Sequence, residues 1–303
     1  MSEAIKAIVL ASFVGDSLAL GPHWDYSTRH IFETHGRVDR LLAPSMQFHQ
    51  GKNAGDFTHY GDQTLVLLES VSAQNGFDLN DFFTRWQALF NDYAGYVDGA
   101  TRMTRQRIEF GEGPETSGAN SNDLAGASRI APLFAALHDE PDTLIAAARA
   151  QTAMTHNHPE VLNAAEFFAR TALKTIAGTQ PVQAMKAAVT EIENNAHIAG
   201  WVEKGLALHA EDPVKATGNL GQSCHVDEAL PATVQVIAHH SKDLRSGLVD
   251  CVMAGGDSAA RVMLAGLVLA AFPENGGLQA IPADWLNGLQ KKDVILGALN
   301  RFD

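Results

Sequence analysis

Apolar residues recur at intervals of three and four along almost all of this 303-residue chain, while runs alternating apolar with polar are scarce. That period turns one face of an α-helix toward a core, so an all-α fold is expected. The stretch 79–94 shows it best, with Phe82, Phe83, Trp86, Leu89 and Phe90 following Leu79 at helical spacing. Further helices are predicted over 3–20, 62–73, 123–137, 142–152, 159–177, 181–194, 198–209, 230–239, 244–253 and 258–272. Ser2 is a candidate cap for the first, and Pro159 and Pro181 sit where a missing N–H costs a helix nothing. The segment 36–60 has no clear period, and an irregular stretch of that length in a compact protein is usually functional or mobile. Neither a repeat nor a linker interrupts the pattern, so 1–303 is read as one domain.

Composition narrows the classes of function. Hydrophobic residues make up 46% and charged residues 19%, which suits a packed core rather than disorder. The net charge of -13, without a basic cluster, repels phosphate backbones and anionic lipid, so nucleic acid and membrane are not expected partners. The apolar run 262–272 is about half of what a bilayer crossing needs. Asp16 interrupts the apolar N-terminus and no signal peptide is read there, so a cytoplasmic location is expected. Cys224 and Cys251 make no disulfide framework and are expected to be buried thiols.

Five segments put polar residues where a helical protein should be closing its core: GDSLALGPHWDY (15–26), HYGDQTLVLLES (59–70), SNDLAGASRIAPL (121–133), MTHNHPEV (154–161) and GGDSAARVMLAG (255–266). In the second and fifth, Asp62 and Asp257 each follow a glycine at the apparent start of a helix, where a carboxylate is stabilised by free N–H groups. Each alone reads as an N-cap. His23 has a near-neutral intrinsic pKa that suits acid–base work, with a hydrogen-bonded structural role as the competitor. His156 is expected to be structural, and His209, His239 and His240 are expected to be surface residues at helix ends.

Together and in order, the five segments resemble the ADP-ribosylglycohydrolase family, as does IPADW at 281–285. The resemblance implies an all-α hydrolase fold, a site holding two magnesium ions and a small-molecule or ADP-ribosylated substrate. It further implies a ligand pocket drawing on Asp16, Trp24, Gln63, Asn122, His156, Gly256, Ser258 and Arg261, with Asp62, Asp257 and His23 as candidate catalytic residues. Departures from the family pattern are specific. His23 stands where the first motif has Glu, Gln63 where Thr-Asp-Asp-Thr has its second Asp, and Ala259 and Ala260 where the last motif has Asp and Thr. Magnesium wants oxygen donors in octahedral array. With these losses no metal is expected, and any that bound would fall to Asp62 and Asp257. HWDY, YGDQ and GGDS followed by Arg261 are most similar to the J1-crystallin and selenoprotein-J branch, which admits a structural role. Asp257 and Arg261 are four apart on the predicted helix, so an ion pair between them is expected. The guanidinium would then supply fixed charge in place of metal or clamp a ligand anion. Three functions follow: hydrolysis of a glycosidic bond in a ribosyl compound, ligand binding without turnover, and a structural role.

Overall fold

A computed structural model describes residues 1–303. Seventeen α-helices follow one another: α1 (Glu3–Ala19), α2 (Thr28–His35), α3 (His59–Gln74), α4 (Leu79–Leu89), α5 (Gly99–Glu109), α6 (Ala125–Ser128), α7 (Leu133–Leu137), α8 (Pro141–Ala153), α9 (Pro159–Ile176), α10 (Pro181–Thr190), α11 (Ala196–Ala207), α12 (Pro213–Leu220), α13 (Val226–His239), α14 (Leu244–Met253), α15 (Ser258–Ala271), α16 (Ala283–Gly288) and α17 (Lys292–Leu299). The only β-type pairings are two isolated bridges, Ala119 with His156 and Asp123 with His225. One contiguous hydrophobic cluster of 76 residues runs through the structure.

At its centre α15 is buried on every side, because its sequence is apolar or small all round and Arg261 is its one charge. α1 packs along it. The two backbones approach closely where side chains are missing: a Cβ on Gly15 would stand 3.1 Å from the Val262 carbonyl oxygen, and one on Gly266 2.9 Å from that of Ala11. No helix is long and apolar enough to cross a membrane.

Most predicted helices are present, and the departures have local causes. The stretch 123–137 is two short helices rather than one, since Pro132 has no N–H to continue the first. The stretch 181–194 stops at Thr190, and Asn194 has turned left-handed, with φ 53°. The stretch 79–94 stops at Leu89, after which the chain folds Tyr93 back onto α3. Ser2 caps α1 through Ile5 N–H at 3.4 Å. Missed helices, such as α5, are short or polar and carry little periodic signal.

The irregular segment before α3 is tied down. Trp285 Nε1 donates to the Asp39 carbonyl at 2.6 Å, and Gln290 donates from its backbone to Gly55 and from its side chain to Ala54. Its short turn Gln47–His49 is thereby laid over the start of α3.

Candidate functional site

Asp257 precedes α15 yet caps nothing with its side chain. Its Oδ2 accepts from the Tyr60 hydroxyl at 2.8 Å and from Trp24 Nε1 at 3.0 Å, while Oδ1 is buried without a partner. The residue is 1% exposed. The turn leading to it is held from two sides. Gly256 N–H donates to the Asp25 carbonyl at 2.7 Å, Asp257 N–H to that of Gln222 at 2.8 Å, and Trp24 N–H to that of Gly256 at 3.0 Å. Gly256 has φ 64°, and a Cβ there would lie 2.2 Å from the Gln222 oxygen, so only glycine fits. Trp24 is itself left-handed at φ 67°, an uncommon conformation for so bulky a residue.

Arg261 makes no ion pair with Asp257, contrary to the expectation from their spacing. It is fully buried, and its guanidinium donates to the Gln222 and Gly255 carbonyls. It therefore holds the turn beneath Asp257 as a positioning residue rather than offering charge to a ligand. Ser258 Oγ, next to Asp257, is buried and unpaired.

Asp62 goes elsewhere. α3 begins at His59 under a Thr58 cap, so Asp62 lies inside its first turn and is not the cap. Residues 60 and 62 are about 200° apart around a helix, which sends Tyr60 toward Asp257 and Asp62 away from it. The Asp62 carboxylate accepts from Lys52 Nζ at 2.6 Å and the Tyr93 hydroxyl at 2.6 Å, in a cavity of about 560 Å³ that Asp56, Glu69 and Lys291 also line. Burial pushes its pKa up. Asp62 and Asp257 share no partner, and it is Lys52, not Arg261, whose charge sits on a carboxylate of the candidate set.

Three other residues of the set are interior. Gln63 Oε1 accepts from Trp86 Nε1 at 2.7 Å and from the buried Arg129 at 3.1 Å. His156 hydrogen-bonds Thr155 Oγ1 at 2.9 Å through Nδ1, and burial lowers its pKa to about 3. Asp16 accepts from Thr58 N–H at 2.8 Å and Thr58 Oγ1 at 2.5 Å, and burial raises its pKa to about 7. Gly61 makes that contact possible, since a Cβ there would come within 2.2 Å of Asp16 Oδ2.

His23 lies under an aromatic roof. Its ring stacks on Trp24 at 4.6 Å, and Phe48 and Tyr96 each meet Trp24 edge-on at 4.8 Å. His49 and His59 join the cluster, with His49 Nε2 and His59 Nδ1 3.2 Å apart. Burial lowers the pKa of all three, so they are neutral near pH 7, and neither His23 nitrogen has a partner. Away from the site, His240 is half-buried and hydrogen-bonds Asp250 at 2.8 Å, a structural contact rather than a surface position.

Two residues that sequence reasoning did not single out stand beside Asp257. The Asp123–His225 bridge aligns the two loops: Leu124 N–H donates to Cys224 O at 2.9 Å, Val226 N–H to Asn122 O at 2.8 Å, and the Asn122 side chain bonds His225 at 2.7 Å. One donor atom each of Asp123, Cys224 and Asp257 then lies within 4.8 Å of the other two. Cys224 is half-buried rather than buried, whereas Cys251 is a buried thiol as expected. Burial and the neighbouring Asp257 push the Asp123 carboxyl well up, and burial with Asp123 pushes the Cys224 thiol up. Partial burial, and then the charges of Asp257, Cys224 and Asp123, raise the hydroxyl pKa of Tyr26, which is 54% exposed, to about 12. Asp123 lies inside one of the five segments, but nothing in spacing pairs it with Cys224.

This arrangement of helices has a solved counterpart. A protein described as an ADP-ribosylglycohydrolase-related protein complex superposes with a TM-score of 0.75 at 23% identity, covering 99% of this chain and 98% of its own. The sequence model of the ADP-ribosylglycohydrolase family matches residues 1–302, and the chain belongs to that family. Among its relatives are crystallin J1A of Tripedalia cystophora, 21% identical over 97% of this chain and 94% of its own, and crystallin J1B of the same animal, 20% identical. An uncharacterized protein of Archaeoglobus fulgidus is 23% identical over 97% of this chain and 94% of its own.

Proposed function

We propose that this protein hydrolyses a glycosidic bond in an ADP-ribosyl or related ribosyl compound at Asp257, without the pair of magnesium ions that the family resemblance implies. Asp257 carries the reading. It is a buried carboxylate oriented by two donors on Oδ2, with Oδ1 buried and left without a partner. Such a group can stabilise the positive ribose carbon that develops as the glycosidic bond breaks, or take a proton from the attacking water. The oxygen of water bonds to the ribose carbon, the leaving group departs with the electrons of the broken glycosidic bond, and the proton that Asp257 takes from the attacking water ends on the leaving group. Tyr60 and Trp24 hold the carboxylate in one orientation, and the neutral aromatic roof keeps water from its inner side.

The residues present do not fit two magnesium ions. Asp62 is occupied by Lys52, Gln63 by Arg129 and Trp86, His23 is sealed among rings, and Ala259 and Ala260 offer no side-chain oxygen. No step is assigned to magnesium, to Asp62 or to His23.

A second reading, ligand binding or a structural role without turnover, is favoured by the crystallin names of two relatives and by the depth at which Asp257 lies. Titration calorimetry of ADP-ribose into metal-stripped protein, repeated with excess magnesium, tests the proposal alongside a product-release assay. The expected result is binding that does not need magnesium, with turnover that Asp257→Asn abolishes while binding persists. Binding without product from any ribosyl substrate would move the conclusion to the second reading, and magnesium-dependent binding would restore the two-ion chemistry.

A further inference from the structure

We propose that Asp123, Cys224 and Asp257 form a site for one divalent cation of borderline softness, of the zinc or cobalt class. Their donor atoms lie within 4.8 Å of one another and come from three separate parts of the chain. In a tetrahedral site with metal–sulfur bonds of about 2.3 Å and metal–oxygen bonds of about 2.1 Å, donors stand roughly 3.5 Å apart, so closure needs about 1 Å of side-chain movement. The two loops that carry Asp123 and Cys224 are already locked in register by backbone hydrogen bonds, which leaves only side-chain rotation to complete it.

A second, independent observation concerns the same carboxylate. Asp257 Oδ1 is buried and has no hydrogen-bond partner, a costly state that a bound cation would relieve. Its other oxygen is fixed by Tyr60 and Trp24, the kind of outer support that orients a ligating carboxylate. The donor chemistry selects the cation. A thiolate disfavours magnesium and calcium, and two carboxylates with a thiolate suit zinc or cobalt. Arg261 does not fill the cation position, because its guanidinium is committed to backbone carbonyls. Three protein donors leave a fourth position of a tetrahedral site for water or another ligand. Of the three, only Asp257 belongs to the magnesium pair of Asp62 and Asp257, and it is also the one residue shared with the proposed hydrolysis, so a cation on its Oδ1 and metal-free hydrolysis there are mutually exclusive uses of that oxygen.

Cobalt(II) alone, titrated into metal-stripped full-length protein, tests the site without substrate, so its outcome is separate from that of any turnover assay. The expected result is a near-ultraviolet thiolate-to-cobalt charge-transfer band with visible bands of tetrahedral intensity, saturating at one equivalent and displaced by zinc but not by magnesium. Cys224→Ser should abolish the charge-transfer band, Asp123→Asn should weaken binding about tenfold or more, and Cys251→Ser should leave both unchanged. A ¹¹³Cd NMR shift in the thiolate range from the unmodified protein would support the site even if the Cys224 variant fails to fold. Absence of the band from unmodified protein, its persistence in Cys224→Ser, or a cadmium shift typical of oxygen ligands alone would overturn it.

Discussion

Arg261 has no carboxylate partner; its guanidinium donates to the Gly255 carbonyl of the turn that presents Asp257 and to the Gln222 carbonyl that also binds Asp257 N–H, while its Nε is left unpaired. Arg261→Met would keep much of the packing volume while leaving the Gln222 and Gly255 oxygens without this donor. Hydrogen bonds from charged groups contribute about 1.5–3 kcal/mol, so urea unfolding should show a loss of about 2–3 kcal/mol. A loss below half a kcal/mol would mean the turn is held by its backbone bonds alone. Asp16 makes a pH prediction. Its folded pKa, raised to about 7 by burial, exceeds the ordinary carboxyl value of 3.8, so between those values the native state keeps a proton that the unfolded chain has lost. Stability from this group is full below pH 4 and disappears as pH rises through about 7. Between pH 5 and pH 8 it should fall by about 2.5 kcal/mol, a slope that Asp16→Asn removes. At this scale the sequence identified chemical types well and partners poorly. The i to i+4 spacing of Asp257 and Arg261 is real, but the guanidinium turns to nearer carbonyls.

Among elements, glycine decides how closely helices approach. A Cβ at position 61 would meet Asp16 Oδ2 at 2.2 Å and Phe57 Cβ at 2.7 Å, so Gly61→Ala should push α3 from α1 and cost about 1–3 kcal/mol, read by chemical denaturation. The threonine that the family motif has at this place would collide still more. The irregular segment before α3 depends on a contact remote in sequence. Trp285→Phe removes the bond to Asp39 together with part of a buried indole, so a loss of about 2–3 kcal/mol is expected, with faster hydrogen exchange confined to residues 36–58. Helix positions were legible from periodicity wherever an element buries one broad face, as in α4, α9 and α14. The break at Pro132 was visible as a residue, yet the apolar run on both sides of it masked its consequence. Helices such as α5, polar on most faces, depend on docking for their stability and leave little trace in the pattern.

Across the whole molecule, metal dependence separates the competing accounts. A cation that binds only the native state at a hundred times its Kd adds about 2.7 kcal/mol to stability. Cobalt or zinc should therefore raise the thermal midpoint of metal-stripped protein, while millimolar magnesium should leave it unchanged. A rise with magnesium would show that Asp62 can release Lys52 and return to a metal.

The sequence by itself determined the helical class and the family, and it marked the segments that carry the candidate site, because these depend on local period and on ordered short motifs. It also contained the substitutions at His23, Gln63, Ala259 and Ala260 that weaken an oxygen-donor site. Only the tertiary structure decided which of the surviving groups meet. The rotation of α3 sends Tyr60 to Asp257 and Asp62 to Lys52. The bridge between two distant loops brings Cys224 to Asp123. The physical reason is that a motif specifies which side chains exist at a turn, whereas their directions follow from helix phase and loop path, and both are set by packing against residues far away in the chain.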